Sequence, residues 1–197
     1  MASCMVITAV ICVLITTVAT IVAFATPNWM AFRATGAICG CAISSGDCDC
    51  GLWLNCRGGY TTDSLDNCKW FFDDDFHIEK SLPDWFKAVQ GLMSCAVASS
   101  LLALIIGLCS LCCTCKGCNP HQAAGAMANL TFLLLAVSVC VFGAKAYLDL
   151  KAQVLADTLS QDPLFSWSFW VAVGATGMSL ISSILYFCVG RTDDYLA

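Results

Sequence analysis

Cysteine is the residue with the most chemistry to offer here, at 16 of 197 positions. Six of them, Cys39, Cys41, Cys48, Cys50, Cys56 and Cys68, crowd into one polar stretch rich in Asp, Gly and Asn. An even set of thiols in such a segment is what oxidising compartments turn into disulfides. Six thiols allow 15 pairings, and spacing alone selects none of them. A second group, Cys112, Cys113, Cys115 and Cys118, supports different chemistries. Cysteines beside a membrane span are sites of reversible S-acylation. Cys115 and Cys118 also form a C-x-x-C pair, which suits a redox couple or half of a zinc site. Zinc needs two further ligands, and only His121 and the adjoining thiols are near in sequence, so no metal site is expected. Plain reduced thiols are the simplest reading.

The elements that position these groups follow from composition. The chain is 59 % hydrophobic and 12 % charged, about half the charge of a soluble domain. No Asp, Glu, Lys or Arg occurs in residues 1–32, 88–115 or 164–190. Apolar runs of 18 or more residues cross a hydrocarbon core of about 30 Å as helices. Four such runs are present, at roughly 5–25, 88–112, 123–144 and 166–189. None has the polar face that a helix of a soluble bundle needs. The predicted fold class is therefore an all-α membrane protein, a four-helix transmembrane bundle. Ala23-Phe24-Ala25 resembles a signal-cleavage site, but no basic residue precedes the long apolar run, which is retained as a span.

Four spans put both termini on one side, with a turn at 114–122, and two loops, 28–87 and 145–165, on the other. The positive-inside rule points the wrong way for cytosolic termini, because only Lys116 and Arg191 of the nine basic residues lie on the terminal side. The six loop cysteines are given more weight, since each bridge stabilises a small loop by about 2–4 kcal/mol. Both termini are then expected in the cytosol, and the thiol-rich loop outside. That loop is too small to build much core without staples. Trp29–Phe32, Gly51–Cys56 and Cys68–Phe72 have strand length and aromatic content between Gly, Asn and Asp. They predict a small antiparallel sheet with Cys56 and Cys68 on neighbouring strands. Ser81 is the predicted N-cap of the second span's helix, with Pro83 in its first turn. Trp29 follows the first span directly, and a Trp there is expected at the membrane–water boundary with its N–H wet. Leu52 and Trp53 either fold down beside it or form the loop's own small core.

Trp29, Gly51-Leu52-Trp53, Cys56 and Cys68 together resemble the W…GLW…C…C signature of the claudins and their superfamily of peripheral myelin and epithelial membrane proteins. Leu82-Pro83 and Ala88-Val89-Gln90-Gly91-Leu92-Met93 are similar to the start of the second claudin span. The resemblance covers the whole chain in layout, and it implies the four-span bundle with a small extracellular antiparallel β-sheet formed mainly by the first loop. Two departures mark a divergent or invertebrate member: eleven residues separate Cys56 from Cys68, and Cys39, Cys41, Cys48 and Cys50 are additional.

The resemblance implies a structural protein of cell–cell junctions at the plasma membrane, tight or septate. Such proteins polymerise side by side, meet across the intercellular gap, pair with other claudin-like proteins, and form a paracellular barrier or ion-selective channel. It implies a Cys56–Cys68 disulfide, and a membrane anchor made by Trp29, Gly51, Leu52 and Trp53. Phe71 and Phe72 would contact a neighbouring subunit, and Pro163, Leu164 and Phe165 an opposing cell. Residues 29–87 hold nine acids and five bases, a net −4, which suits a cation-preferring path. Asp63 and Asp66 are the candidate pore-lining residues, whereas Asp73-Asp74-Asp75 reads as a solvated turn. Cys112, Cys113 and Cys188 are candidate palmitoylation sites, and Tyr195-Leu196-Ala197 a candidate PDZ-binding tail.

A thiol oxidoreductase would need its cysteines on one side of the membrane; these lie on two, so no enzyme is expected. Tetraspanins carry their large cysteine loop second, not first. The serious alternative is an auxiliary subunit of an ion channel or receptor on the same fold. No cofactor and no nucleic-acid partner is expected; the lipid bilayer is. Lys145 and Asp149 continue the third helix beyond its span. Gly107, Gly125, Gly143, Gly174 and Gly177 are expected to let helices approach closely.

Overall fold

The computed structural model describes residues 2–33, 47–57, 68–72, 82–112, 119–156 and 164–194. Four helices dominate these described residues: α1 (Ala2–Ala25), α2 (Asp84–Cys112), α3 (Pro120–Ala156) and α4 (Trp167–Asp194). Each contains a stretch long and apolar enough to cross a membrane: Cys4–Ala25, Asp84–Leu111, Pro120–Asp149 and Trp167–Gly190. The start of α2 differs from expectation. The Pro83 carbonyl accepts the Phe86 and Lys87 N–H groups, so Pro83 itself sits at the cap; Ser81 lies outside the described residues.

Among the described residues five short strands form one antiparallel sheet: β1 (Met30–Arg33), β2 (Asp47–Cys50), β3 (Leu54–Arg57), β4 (Cys68–Trp70) and β5 (Leu164–Phe165). Their spatial order is β4-β3-β2-β1-β5. The register aligns Met30 with Cys50 and Phe165, Cys50 with Asn55, and Asn55 with Lys69. β2 reads Asp-Cys-Asp-Cys, a poor strand sequence by propensity. Pairing along both of its edges overrides that weakness. β5 is the other strand that sequence patterning does not predict, and it brings the second loop into the sheet.

Contacts divide the chain into two compact units, Met1–Ile21, Leu92–Val137 and Ala172–Ala197 in one, Val22–Gly91 and Ser138–Val171 in the other. The first unit explains how helices without a polar face choose an inside. Val6, Ala9, Val10 and Val13 form an i, i+3, i+4, i+7 stripe that is buried with Ala103, Ala124, Tyr186 and Val189. Ile7, Ile11, Leu14, Ile15 and Val18 on the other side of α1 stay exposed. In lipid no hydrophobic force separates Ile from Ala, so small and hydroxyl side chains go inward, where they let helices approach. Tyr186 shows that close fit: a Cβ on Gly107 would lie 2.5 Å from its hydroxyl oxygen, and one on Gly125 3.0 Å from its Cβ. Gly174 and Gly177 face open space instead, so they open no helix contact.

Within this unit a hydroxyl joins each successive helix pair. Thr17 Oγ1 donates to the Ser100 carbonyl (3.3 Å), Ser99 and Thr131 hydroxyls meet at 2.8 Å, and Ser179 Oγ donates to the Ala128 carbonyl (2.9 Å). Ser99 and Ser100 are adjacent, and Ala128 and Thr131 are one turn apart, so the three links lie within about a turn of one another along α2 and α3. Whichever of Ser99 and Thr131 donates to the other, the second proton has a carbonyl of its own helix, Ala96 at 3.1 Å or Met127 at 2.9 Å. Thr131→Val keeps the volume and removes this link. The expected loss is about 1 kcal/mol, read as a lower midpoint in SDS titration of the reconstituted chain; an unchanged midpoint would show that the link adds nothing.

Candidate functional site

The second unit contains all the residues of the W…GLW…C…C pattern. After α1 ends, Pro27 and Asn28 lead into β1, and Trp29 turns back toward the helix. Its ring is fully buried and its indole N–H donates to the Ala23 carbonyl at 2.6 Å. Ala23 is near the helix end, where carbonyls lack intrahelical partners, so Trp29 caps α1. The expectation of a wet N–H at the membrane boundary therefore differs from the structure: Trp29 is a core residue. Phe142 of α3 lies at the centre of the same cluster. The rings of Trp29, Trp85, Phe86, Phe165 and Phe169 surround it with centroids 4.7–6.3 Å away. Nothing in an apolar span distinguishes Phe142 from its neighbours, and sequence reading missed it.

Gly51-Leu52-Trp53 is the turn between β2 and β3, not the start of a strand. Gly51 N–H donates to the Leu54 carbonyl (2.9 Å), while Trp29 N–H donates to the Cys50 carbonyl (3.1 Å). This brings the Gly51 backbone against the α1 exit: an added Cβ would lie 2.5 Å from Pro27 Cα and 2.6 Å from the Thr26 carbonyl oxygen. Leu52 is fully buried, worth about 2 kcal/mol of apolar transfer, and its carbonyl accepts the side-chain amide of buried Gln90 at 2.6 Å. Trp53 packs on Phe24 at the end of α1 (5.3 Å) and stacks with Phe72 (5.7 Å). The turn is thus both folded onto the helix ends and part of a small core.

Cys56 and Cys68 are bonded across β3 and β4, with Cα atoms 4.0 Å apart. Cys48 and Cys50 are disulfide-bonded as well, while Cys39 and Cys41 lie outside the described residues. By contrast Cys4, Cys12, Cys95, Cys109, Cys140 and Cys188, all on helices, are outside any disulfide. Buried Asn55, next to Cys56, has its side-chain oxygen 3.2 Å from Cys48 Sγ. It is a polar core residue that no sequence signal marked.

The remaining candidates divide clearly. Phe71 has no exposed surface; its ring packs on Phe86 and its N–H donates to the Trp53 carbonyl. It offers nothing to a neighbouring subunit. Phe72 and Trp70 are each 56 % exposed. Phe165 is stacked on Phe169 at 4.4 Å, and the segment after it is stitched to β1: Ser166 and Ser168 N–H groups donate to the Trp29 and Asn28 carbonyls, and the Thr26 and Ser168 hydroxyls meet at 2.7 Å. The expected contact segment is therefore partly a structural edge. Asp149 accepts the Trp85 indole N–H (2.9 Å), which leaves Lys145 exposed. Cys188 is exposed near the end of α4, and Cys112 ends α2. Asp63, Asp66, the Asp73–Asp75 run, Cys113, Pro163 and Tyr195-Leu196-Ala197 lie outside the described residues. Among the described residues no three His, Cys, Asp or Glu side chains converge as a metal set.

The arrangement is one of packing and staples, a disulfide-tied sheet packed on the helix ends of its own unit. No curated protein matches the chain significantly. The family model of the PMP-22/EMP/MP20/Claudin family matches residues 1–186. With that match covering nearly all of its length, four membrane spans and a disulfide-tied sheet, the chain belongs to the PMP-22/EMP/MP20/Claudin family.

Proposed function

We propose that this protein is a non-enzymatic cell–cell junction component. It self-associates side by side and across the gap, and forms a barrier or cation-preferring path between cells. The observation that supports self-association most is the pair of exposed aromatics at the β4 edge, Trp70 and Phe72. Large aromatic groups on a solvated sheet are covered only when another surface meets them. What supports the proposed side of the membrane is that Cys48, Cys50, Cys56 and Cys68 are disulfide-bonded and the described helix cysteines are not. On this reading the sheet faces the extracellular space and both termini the cytosol. Asp63 and Asp66, within the Cys56–Cys68 loop, are the proposed pore-lining carboxylates, effective only if they lie within a Debye length of about 8 Å from the path. Cys112, Cys113 and Cys188 are proposed acylation sites, and the last three residues a proposed PDZ ligand.

The test is expression in cells that lack junctional strands, with imaging of contacts and measurement of ion permeability across the layer. Strands with altered permeability are expected. The Cys56–Cys68 bridge closes a loop of 12 residues' separation, for which loop entropy gives about 3 kcal/mol, so Cys68→Ser should remove strands and surface protein together. A chain that stays dispersed and co-purifies with a channel would replace this reading with that of an auxiliary subunit.

A further inference from the structure

Of the bonded cysteines described in the sheet, one is open at its surface. Cys48, Cys50 and Cys56 are 2 %, 0 % and 0 % exposed. Cys68 is partly exposed, and Lys69 beside it is exposed. The strand order explains the asymmetry. β2, with Cys48 and Cys50, lies between β1 and β3, whereas β4 ends the sheet among the described residues. Cys56 is paired with Asp49 on one side and with Cys68 on the other. Residues directly opposite share a face, with Cβ atoms about 4.5–5.5 Å apart. A carboxyl-bearing residue therefore stands beside Cys56 on the side away from Cys68.

A disulfide opens when a thiolate attacks one sulfur and the other leaves, through a mixed disulfide, and access decides which sulfur is attacked. Attacking, attacked and leaving sulfurs stand nearly in line. The Cys56–Cys68 bridge runs across from β3 to β4. A thiolate bound for Cys56 must come over β2, into a fully buried position and past Asp49. One bound for Cys68 arrives from beyond the sheet edge, next to the cationic Lys69. The leaving step pulls the other way, because a thiolate left on buried Cys56 is disfavoured by desolvation and by the nearby acid. That slows opening without redirecting it, since a sulfur that is not reached is not attacked. The same features favour closure: a poorly stabilised thiolate is a strong nucleophile, and the register holds Cys56 opposite Cys68.

We propose that the Cys56–Cys68 bridge is a site of reversible exchange with small soluble thiols, entered only at Cys68. A small thiolate bonds to Cys68 Sγ as the S–S bond breaks, and the electron pair leaves on Cys56 Sγ, which then takes up a proton. In the return step Cys56, deprotonated again, attacks Cys68 Sγ, the bridge re-forms and the small thiolate departs. No oxidant is consumed in this cycle. β4 stays attached meanwhile, because Phe71 is fully buried, its N–H donates to the Trp53 carbonyl (3.0 Å), and Leu54 and Asn55 remain paired with Trp70 and Lys69. A folded chain thus tolerates transient opening, whereas Cys68→Ser lacks the bridge while it folds. The inference uses this bridge alone and is independent of what the sheet does between cells.

The test uses the full natural chain in detergent micelles, with its free cysteines, those of the helices included, first blocked by a maleimide. A limiting dose of 2-mercaptoethanol is added without denaturant, the exchange is stopped with acid, and new thiols are trapped in denaturant with an isotopically distinct maleimide. Trypsin cleaves after Arg57, which places Cys56 and Cys68 in different peptides. Mass spectrometry should find mercaptoethanol on Cys68 and the second maleimide on Cys56, at least about tenfold over the reverse. Removing the free thiol by gel filtration before trapping should erase the adduct and restore the bridge with no oxidant added. Equal adducts on the two cysteines, an adduct on Cys48 or Cys50 before Cys68, or exchange only after denaturant is added would overturn the proposal. So would an adduct that persists once the free thiol is gone.

Discussion

Gly51→Ala should leave almost no mature protein at the cell surface. The new methyl would sit 2.5 Å from Pro27 Cα, 2.6 Å from the Thr26 oxygen and 3.1 Å from Pro27 C. All three are backbone atoms, so no rotamer change relieves the overlap. The Thr26–Pro27 segment is itself held, because Thr26 N–H is bonded to the Val22 carbonyl and its hydroxyl meets Ser168. Relief requires moving the turn, which breaks the Gln90–Leu52 bond and the Trp53–Phe24 packing. A cost of about 4 kcal/mol or more places the change in the exceptional class of single substitutions. Surface biotinylation should fall at least about tenfold, since 1.4 kcal/mol is already a tenfold change. Gly91→Ala is the contrast: a Cβ there meets nothing within 4 Å, and inside α2 it should stabilise by up to about 1 kcal/mol. If both variants reach the surface like the natural chain, the close approach at Gly51 is not a determinant of folding.

Trp29→Ala is expected to be nearly as damaging, for a different reason. It empties the largest fully buried side chain of its unit, beside Phe142 (4.7 Å) and Phe169 (6.0 Å). Aromatic-to-alanine changes in cores cost about 3–5 kcal/mol, and here the Ala23 carbonyl also loses its donor. Thermal stability in detergent should drop on the order of 10 °C. Trp29→Phe separates the two contributions, because it keeps a ring and removes only the N–H, at a cost of about 1–3 kcal/mol for the carbonyl left bare. Equal losses in the two variants would assign the whole effect to the hydrogen bond, and an unaffected Trp29→Phe would assign it to packing.

These two positions also show how far sequence reading reaches. The W…GLW…C…C pattern marks Trp29 and Gly51 as special, yet it does not say why. Trp29 looks like an interface residue because it follows an apolar helix; only the chain's reversal at Pro27 and Asn28 places its N–H on Ala23. Gly51 reads as the start of a strand, and the reason for glycine, a backbone contact with residues 26 and 27, is invisible until the turn is folded onto the end of α1. Phe71 and Phe72 are indistinguishable by type, but the turn after β4 buries the first and exposes the second. β5 is two residues long, far too short to produce a period-two signal.

The sequence by itself determined the four spans, the antiparallel sheet in the first loop, the placement of Cys56 and Cys68 on adjoining strands, and the family. Each rests on a signal that is local or strongly periodic: runs of twenty apolar residues, thiols in a polar segment, and a short motif in a fixed topology. Tertiary structure alone decided which side of each helix faces inward, that Phe142 organises the aromatic core, and which tryptophans remain at the surface. In lipid, Ile, Ala and Ser differ little in hydropathy-driven preference for the interior, so helix facing is set by fit and by hydroxyl bonds between helices. That information resides in pairs of residues distant in the chain, such as Ser99 with Thr131 or Gly51 with Pro27, and becomes readable only when folding brings them together.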